Sequence, residues 1–409
     1  MLRFFKNKIF LLAAIFVFVA YLSNDFSLID IKETAIVVAL GVDKEDDIYE
    51  VSAQIVVPQA TEQAASNQGT TVSGKGKTVA LAIENIGVHT GWYPKLSFCN
   101  VIILGEGVFD GDIMESIDYF IRTIKIQDTA ELCAAEKTAK EILTATSPLD
   151  ELPTFSVTKI LQKDAESSST VSYSSLREFA MGYYSKSGFS QMPLLKIIAD
   201  AEGGDVKGNQ ATSFKIKSTA DSSSGSESGS NGQGQKKQLF DATSTLLFTN
   251  GKRAYVMPAD QTAVYNLLKH RVTETSVELS NAQYNGKETN LMISIRDNSG
   301  KIKLKIENSR PTLHVSLSVK ARIDDTDISV SPSDLVSGFV VPESVLRDLE
   351  KKLADTLTDI FEATKASGCD VFEVRDRLFR TQNKYYEGYQ KLILDETSVA
   401  ISVTAKSFK

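Results

Sequence analysis

The pattern of apolar and polar positions is clearest over Glu33 to Pro58, ETAIVVALGVDKEDDIYEVSAQIVVP. Thr34 to Val42 is a near-continuous apolar run rich in β-branched residues, which predicts a strand buried on both faces. Ile48 to Val57 alternates instead. Tyr49, Val51, Ala53 and Ile55 fall on one parity and Glu50, Ser52 and Gln54 on the other, predicting a half-buried partner strand. Between them Asp43-Lys44-Glu45-Asp46-Asp47 is too polar to bury and predicts a solvated hairpin turn.

Downstream the period changes repeatedly. Gln59 to Thr71 is polar and aperiodic, predicting a loop, and a helix is predicted from Ser73-Gly74-Lys75-Gly76-Lys77 to about His89, with Val79, Ile83 and Ile86 inward. Leu96 to Leu104 predicts a buried strand. Ile113 to Ile124 predicts an amphipathic helix that buries Ile113, Ile117, Phe120, Ile121 and Ile124. A short strand at Ala130 to Ala134 and a helix at Ala139 to Thr144 follow. Ser147 to Ala199 reads as mostly helical. Thr154 to Gln162 forms one helix, and Ser175 with Glu178 forms a capping box for the next, before Ser185 to Pro193 interrupts. Gly203 to Lys237 has no apolar residue after Ala220, so it cannot offset its ordering entropy and predicts a flexible insertion.

The second half begins with a hairpin, Ala242 to Phe248 and Arg253 to Met257 around Asn250-Gly251. A helix at Asp260 to Leu268 precedes strands at Val272 to Leu279, Leu291 to Ile295 and Ile302 to Ile306, the last two joined by a turn at Asn298-Ser299-Gly300. Leu313, Val315, Leu317, Val319 and Ala321 alternate strictly along one long strand. A helix from Pro342 to Thr364 carries the stripe Leu346, Leu349, Leu353, Leu357, Ile360 and Phe361, and Asp370 caps a shorter helix, VFEVRDRLFR. Val399, Ile401 and Val403 close the chain as an edge or barrel-like strand. These elements predict an α+β protein: two or more mixed α/β domains, with antiparallel-rich sheets packed by helices, behind an N-terminal apolar membrane segment. The division is 1–25 (signal-anchor or signal peptide), 26–200 (first domain), 201–240 (Gly/Ser-rich linker) and 241–409 (second domain).

The membrane segment follows from charge. Arg3, Lys6 and Lys8 precede the uncharged run Ile9 to Leu22, and polar Ser23, Asn24 and Asp25 end it. The basic flank predicts a cytoplasmic start with the rest of the chain extracytoplasmic. The run is short for a spanning helix, which needs about 20 residues, but Phe4 and Phe5 extend it and the lysines can snorkel. Phe18 and Tyr21 occupy positions where a cleavage site wants small residues, which favours an uncleaved anchor. Its apolar body is Phe10, Leu11, Leu12, Ile15, Phe16, Val17, Phe18 and Val19.

Composition narrows the function. A net charge of −7 supplies no basic stripe for nucleic acid. Cys99, Cys133 and Cys369 are too far apart for zinc or CxxC spacing and read as buried thiols, with a single disulfide among them left open. His89, His270 and His314 have no metal-ligand neighbours at useful spacing. SGKGKT lacks the spacer of a phosphate loop, and DKEDD lacks the glycine and distal Glu of an EF-hand loop. With no GxSxG, HExxH or GxGxxG, the reading is a non-enzymatic assembly or binding component without cofactor or metal.

Several of these stretches taken together resemble a known family. AIVVALGVDKEDDIYEVSAQIVVP, GKGKTVALAIENI, SFCNVIILGEGVFDGDI, KTAKEIL and LPTFSVTKIL resemble the N-terminal domain of the Ger(x)C family. STLLFTNGKRAYVMPADQTAVYNLL and the SVLRDLEKKLADTLTDIFEATKASGCDVFEVRDRLFR helical pair are similar to its C-terminal domain. The resemblance implies an α+β C-type subunit of a spore germinant (nutrient) receptor at the spore inner membrane. Its partners would be a polytopic A-type subunit and a transporter-like B-type integral membrane subunit. The alternative is an extracytoplasmic ligand-binding subunit of a transport or sensing complex, which would contact the nutrient itself. Family members usually carry a lipoprotein cysteine just after the apolar segment. Here Leu22-Ser23-Asn24-Asp25-Phe26 stands there and no cysteine precedes Cys99, which is why a helical anchor is expected instead.

Overall fold

The computed structural model describes residues 13–18, 34–56, 69–123, 125–147, 150, 152–162, 168–198, 238–284, 286–308, 310–326, 340–389 and 393–408. The N-terminal hairpin forms as β1 (Thr34–Glu45) and β2 (Ile48–Val56), paired antiparallel down to Glu45↔Ile48. The turn is therefore only Asp46-Asp47, with Asp46 in the left-handed region that Asp tolerates. β1 is buried on both faces as predicted. β2 is not half-exposed, for Ser52 and Gln54 lie in the interior.

The reason is a second helical layer. The first sheet runs β3 (Thr70–Gly76), β2, β1, β5 (Val101–Leu104), β6 (Glu131–Ala135), β7 (Phe189–Ile198), β8 (Leu239–Thr249), β9 (Lys252–Met257), with the short β4 (Tyr93–Lys95) alongside the start of β1. Its inner strands β1, β5, β6 and β7 are parallel, so the sheet is mixed where an antiparallel-rich one was expected. Such a centre needs cover on both faces. One face is closed by α1 (Val79–Thr90), α2 (Met114–Arg122) and, after two further helices, α5 (Leu176–Tyr183). These helices bring Ile86, Phe120 and Phe179 against Leu40, Ile102 and Phe248. The other face is closed by α3 (Ala139–Thr144) and α4 (Pro153–Leu161), through Leu143, Val157 and Leu161. Gln54 faces this second layer. Its amide donates to Leu143 O (3.1 Å) and its carbonyl accepts from Thr154. A buried polar side chain is tolerated because it is paired at both ends.

Two further expectations change here. Gly74 and Gly76 end strand β3 rather than opening the helix, and they are glycines because α1 lies directly on them. A Cβ on Gly74 would come within 2.2 Å of Ala82 O, and one on Gly76 within 2.7 Å of Ala82 N. The acidic turn is also not wholly solvated. Asp43 accepts from the N–H groups of Ala139 (2.7 Å) and Lys140 (3.0 Å), holding the start of α3. Burial raises its pKa, only partly offset by those two bonds. Within 147–199, mostly helical by pattern, β7 is a full strand. Residues 96–98 form a 3-10 turn before β5, and Ile121 faces outward. Of the predicted capping box, the N-cap bond is present, with Ser175 Oγ accepting from Glu178 N–H at 3.3 Å. The Gly/Ser-rich segment lies outside the described residues.

The second sheet is β10 (Thr275–Tyr284), β11 (Lys287–Glu307), β12 (Arg310–Thr326) and β13 (Ser398–Ser407), antiparallel except for the parallel β12/β13 pair. β13 is an edge strand, and among the described residues this sheet is open rather than closed into a barrel. α7 (Glu343–Ala366) buries Leu349, Leu353, Leu357, Ile360 and Phe361 against this sheet, with Val345 deeper than Leu346. Each such side chain contributes roughly 1.5–3 kcal/mol. Asp370 accepts from Val374 N–H (2.7 Å) and Arg375 N–H (2.9 Å) at the start of α8 (Val374–Thr381), as expected.

Asn298-Ser299-Gly300 is not a turn. β11 runs unbroken through it, with a register shift between Ile295 and Asp297. The turn-like composition serves α6 (Ala259–Lys269) packed on that strand. Asn298 Nδ2 donates to Leu267 O (2.5 Å) and His270 O (2.7 Å), and its Oδ1 accepts from Val272 N–H (2.7 Å). A Cβ on Gly300 would meet Leu268 O at 1.9 Å. One asparagine thus satisfies three main-chain groups at a helix end.

Glu131, the first residue of β6, is the converse case. Its Oε2 is buried without a hydrogen-bond partner, and burial pushes its pKa up to about 7.

Two outcomes are expected. Asn298→Ala removes three buried hydrogen bonds and lowers stability by about 2–4 kcal/mol in urea unfolding, with an unchanged m-value. Because the folded-state pKa of Glu131 lies above its unfolded value, the folded form holds its proton longer. Stability therefore declines as pH rises from about 4.5 to about 7. Glu131→Gln removes that decline and stabilises the protein above neutral pH. The gain is about 1–2 kcal/mol, discounted for partial solvent screening, and no gain is expected at acid pH.

Candidate functional site

Of the predicted anchor residues, Ile15, Phe16, Val17 and Phe18 lie in a helical stretch at 13–18 with solvent-exposed side chains. Phe10, Leu11, Leu12 and Val19 lie outside the described residues. Among the described residues no helix is long and apolar enough to cross a membrane.

The candidate chemistry groups stay apart. His89 lies in the last turn of α1, His270 follows α6 and His314 sits on β12 beside Glu307 (3.0 Å). All three cysteines are free and buried, which closes the question of a disulfide. Burial pushes the Cys99 and Cys369 thiols up to about 12 and Cys133 higher still. Such thiols are poor nucleophiles. Among the described residues no group of three or more His, Cys, Asp or Glu side chains is arranged to hold a metal ion.

What the fold does assemble is a polar cleft between the two sheets, a cavity of about 370 Å³. α5 and β7 supply Glu178, Ser190 and Gln191, and Ser174 lies just before α5. The facing wall carries Tyr265, Lys269, Glu373 and Asp376 from α6 and the start of α8. Lys269, Glu373 and Asp376 already have partners within the protein. Lys269 Nζ lies 2.5 Å from Glu373 Oε1. Asp376 accepts from the N–H groups of Ser187 (3.0 Å) and Lys186 (3.3 Å), and its own N–H donates to Ser187 Oγ (3.3 Å). Burial raises the Asp376 pKa, but hydrogen bonds from Ser187 and Lys186 more than offset that and leave it low. Tyr265 OH donates to Val371 O (2.9 Å), and burial raises its pKa well above the ordinary phenol value.

Three groups in the cleft remain unused. Ser174 Oγ, Ser190 Oγ and Gln191 Oε1 are buried and have no hydrogen-bond partner in the protein. With the ionic groups already paired, the free capacity is two hydroxyls and one amide carbonyl. That set suits a small neutral solute rich in donors, or water. Sequence reasoning missed this cluster because its halves are separated by about 190 positions, as in the Ser187–Asp376 pair. The only local trace is the pattern break at SKSGFSQMP, which turns the chain from α5 into β7.

Comparison with known proteins places this architecture. Sequence profiles of two domain families match the chain in order: spore germination protein N-terminal domain over residues 28–199, and spore germination B3/GerAC like, C-terminal, over residues 243–407. Spore germination protein KC of Bacillus subtilis (strain 168) is 21% identical over 376 residues, covering 89% of this chain and 84% of that protein. The crystal structure of the GerBC protein shares the fold, with a TM-score of 0.50 at 17% identity over 92% of this chain and 99% of that one. The second profile begins inside β8, a strand already hydrogen-bonded to β7, so the family boundary and the sheet boundary do not coincide. With both domains present in sequence order around a shared fold, the chain belongs to the Ger(x)C family of spore germination proteins.

Proposed function

We propose that this protein is a non-enzymatic C-type subunit of a germinant receptor. Its N-terminal helix holds it on the extracytoplasmic face of the spore inner membrane, beside A-type and B-type integral membrane subunits. The observation that carries the reading is the ordered match of both germination domains over nearly the whole chain. The basic-flanked apolar run before the first domain supports attachment by a helix, since no cysteine precedes Cys99. Well-separated histidines and buried thiols support a role in assembly rather than catalysis.

A second reading is favoured by the cleft. Its unpaired Ser174, Ser190 and Gln191 groups support direct binding of a small nutrient by this subunit within a sensing or transport complex.

Fractionation of cells given labelled palmitate tests the attachment. The chain is expected in the membrane fraction without label, and Phe16→Asp with Val17→Lys releases it. Palmitate incorporation, or membrane retention of that double variant, would count against a helical anchor. For the cleft, calorimetry of the full chain in detergent against amino acids and monosaccharides should give saturable micromolar binding. Gln191→Ala should weaken it at least about tenfold, the scale of one lost buried hydrogen bond. No heat with any of these ligands removes the second reading and leaves the first intact.

A further inference from the structure

The chain has one tryptophan, Trp92, and it lies at a particular end of the first sheet. β4 pairs in parallel with the start of β1 through Thr34↔Tyr93, Ala35↔Pro94 and Ile36↔Lys95. The residues around it are large, apolar and uncovered. Val88 is 70% exposed, Phe98 51%, Tyr93 41% and Trp92 36%. Between α1 and β4, Val88, Trp92 and Tyr93 border a groove of about 600 Å³ that also reaches Ile83, Glu84 and Tyr119. Two lysines stand among the rings. Lys95 Nζ is 5.7 Å from the Phe98 ring centre. Lys125 Nζ is 5.8 Å from that of Tyr93 and 3.3 Å from its hydroxyl.

Amphipathic aromatics with long cationic side chains are the composition of a membrane–water interface. There rings sit at headgroup depth and ammonium groups reach phosphates. Chain length points the same way. Thr34 follows Leu22 by twelve residues, so the start of β1 lies no more than about 40 Å along the chain from the end of the apolar segment. The opposite end of β1, about 40 Å away, carries the acidic tip Glu45-Asp46-Asp47, which an anionic surface would repel. The two ends of one hairpin thus differ in the sense that orients a domain on a bilayer.

We infer that the face formed by Val88, Trp92, Tyr93 and Phe98, with Lys95 and Lys125, rests in the headgroup layer of an anionic bilayer. This rests on the helical anchor proposed above. The first sheet then stands with its parallel strands running away from the membrane and the acidic hairpin tip outermost.

The single tryptophan makes the test direct. The full chain is reconstituted into vesicles of phosphatidylcholine and phosphatidylglycerol, with plain or brominated phosphatidylcholine, and floated on a density gradient. The expected result is a floating chain whose Trp92 emission is quenched by the brominated lipid and shielded from aqueous acrylamide. In a Trp92→Phe background, Ile48→Trp moves the reporter to the hairpin tip, where the expected pattern is the reverse. A chain that floats with Trp92 unquenched overturns the inference, leaves the anchor standing, and points to a protein partner on this face. Equal quenching at both positions also overturns it, because the domain then has no fixed orientation. A chain that does not float overturns the anchor, and the inference with it.

Discussion

Strand β8 belongs to two cores at once, and the rest of the structure depends on that. Successive side chains of a strand point to opposite faces. Leu246 and Phe248 accordingly enter the core beneath α2 and α5, while Leu247 enters the core of the second sheet with Met257 and Phe189. Phe248 is ringed by Phe109 (5.7 Å) and Phe179 (5.4 Å). Neither core can be finished without this strand, so the two sheets are coupled through a shared wall rather than through a flexible tether. A polar seam runs beside it. Thr245 donates to Ser172 (2.9 Å), Ser172 to Asn266 (3.3 Å), and Asn266 to the carbonyls of Ser169 (2.9 Å) and Val171 (3.2 Å). Fully satisfied networks of this kind fix one arrangement where apolar contact alone would allow several.

The same double membership explains which elements were legible in the sequence. Elements that meet one environment show it in their period. β1, β12 and α7 are legible in type and place because each buries a simple run, an alternation or a helical stripe, although β1 extends three residues further and β12 extends beyond its alternating run at both ends. Elements whose pattern answers to a distant neighbour were misread. Gly74 and Gly76 read as a helix start, but they are small because α1, the next element, lies on them. Asn298 and Gly300 read as a turn, but they answer to α6, about 30 residues earlier. Ser52 and Gln54 look solvated for the same reason: the helices that cover them come some 90 to 100 residues later.

Of the two candidate sites, the sequence offers only the N-terminal run, as an expectation. An apolar run behind basic residues is a local signal, and local signals survive without a structure. The cleft has no such signal. Its walls come from α5, β7, α6 and α8, and the features that define it are geometric: burial, and hydroxyls without partners. The aromatic face beside β4 lies between these cases. Its residues are near one another in sequence, but only the pairing with Thr34 tells which end of the sheet they occupy.

The pairing of β12 with β13 bears on how the protein is made. Thr312 and Ser398 are neighbours in space but 86 positions apart in the chain, and the connection between them contains α7 and α8. Contacts of such separation form late, after the entropy of closing a long loop has been met. Until they form, one side of β12 is an open row of main-chain donors and acceptors, available to any other extended segment nearby. The chain is thus most exposed to mispairing in the interval before that last strand docks, when β12 has found β11 but not β13.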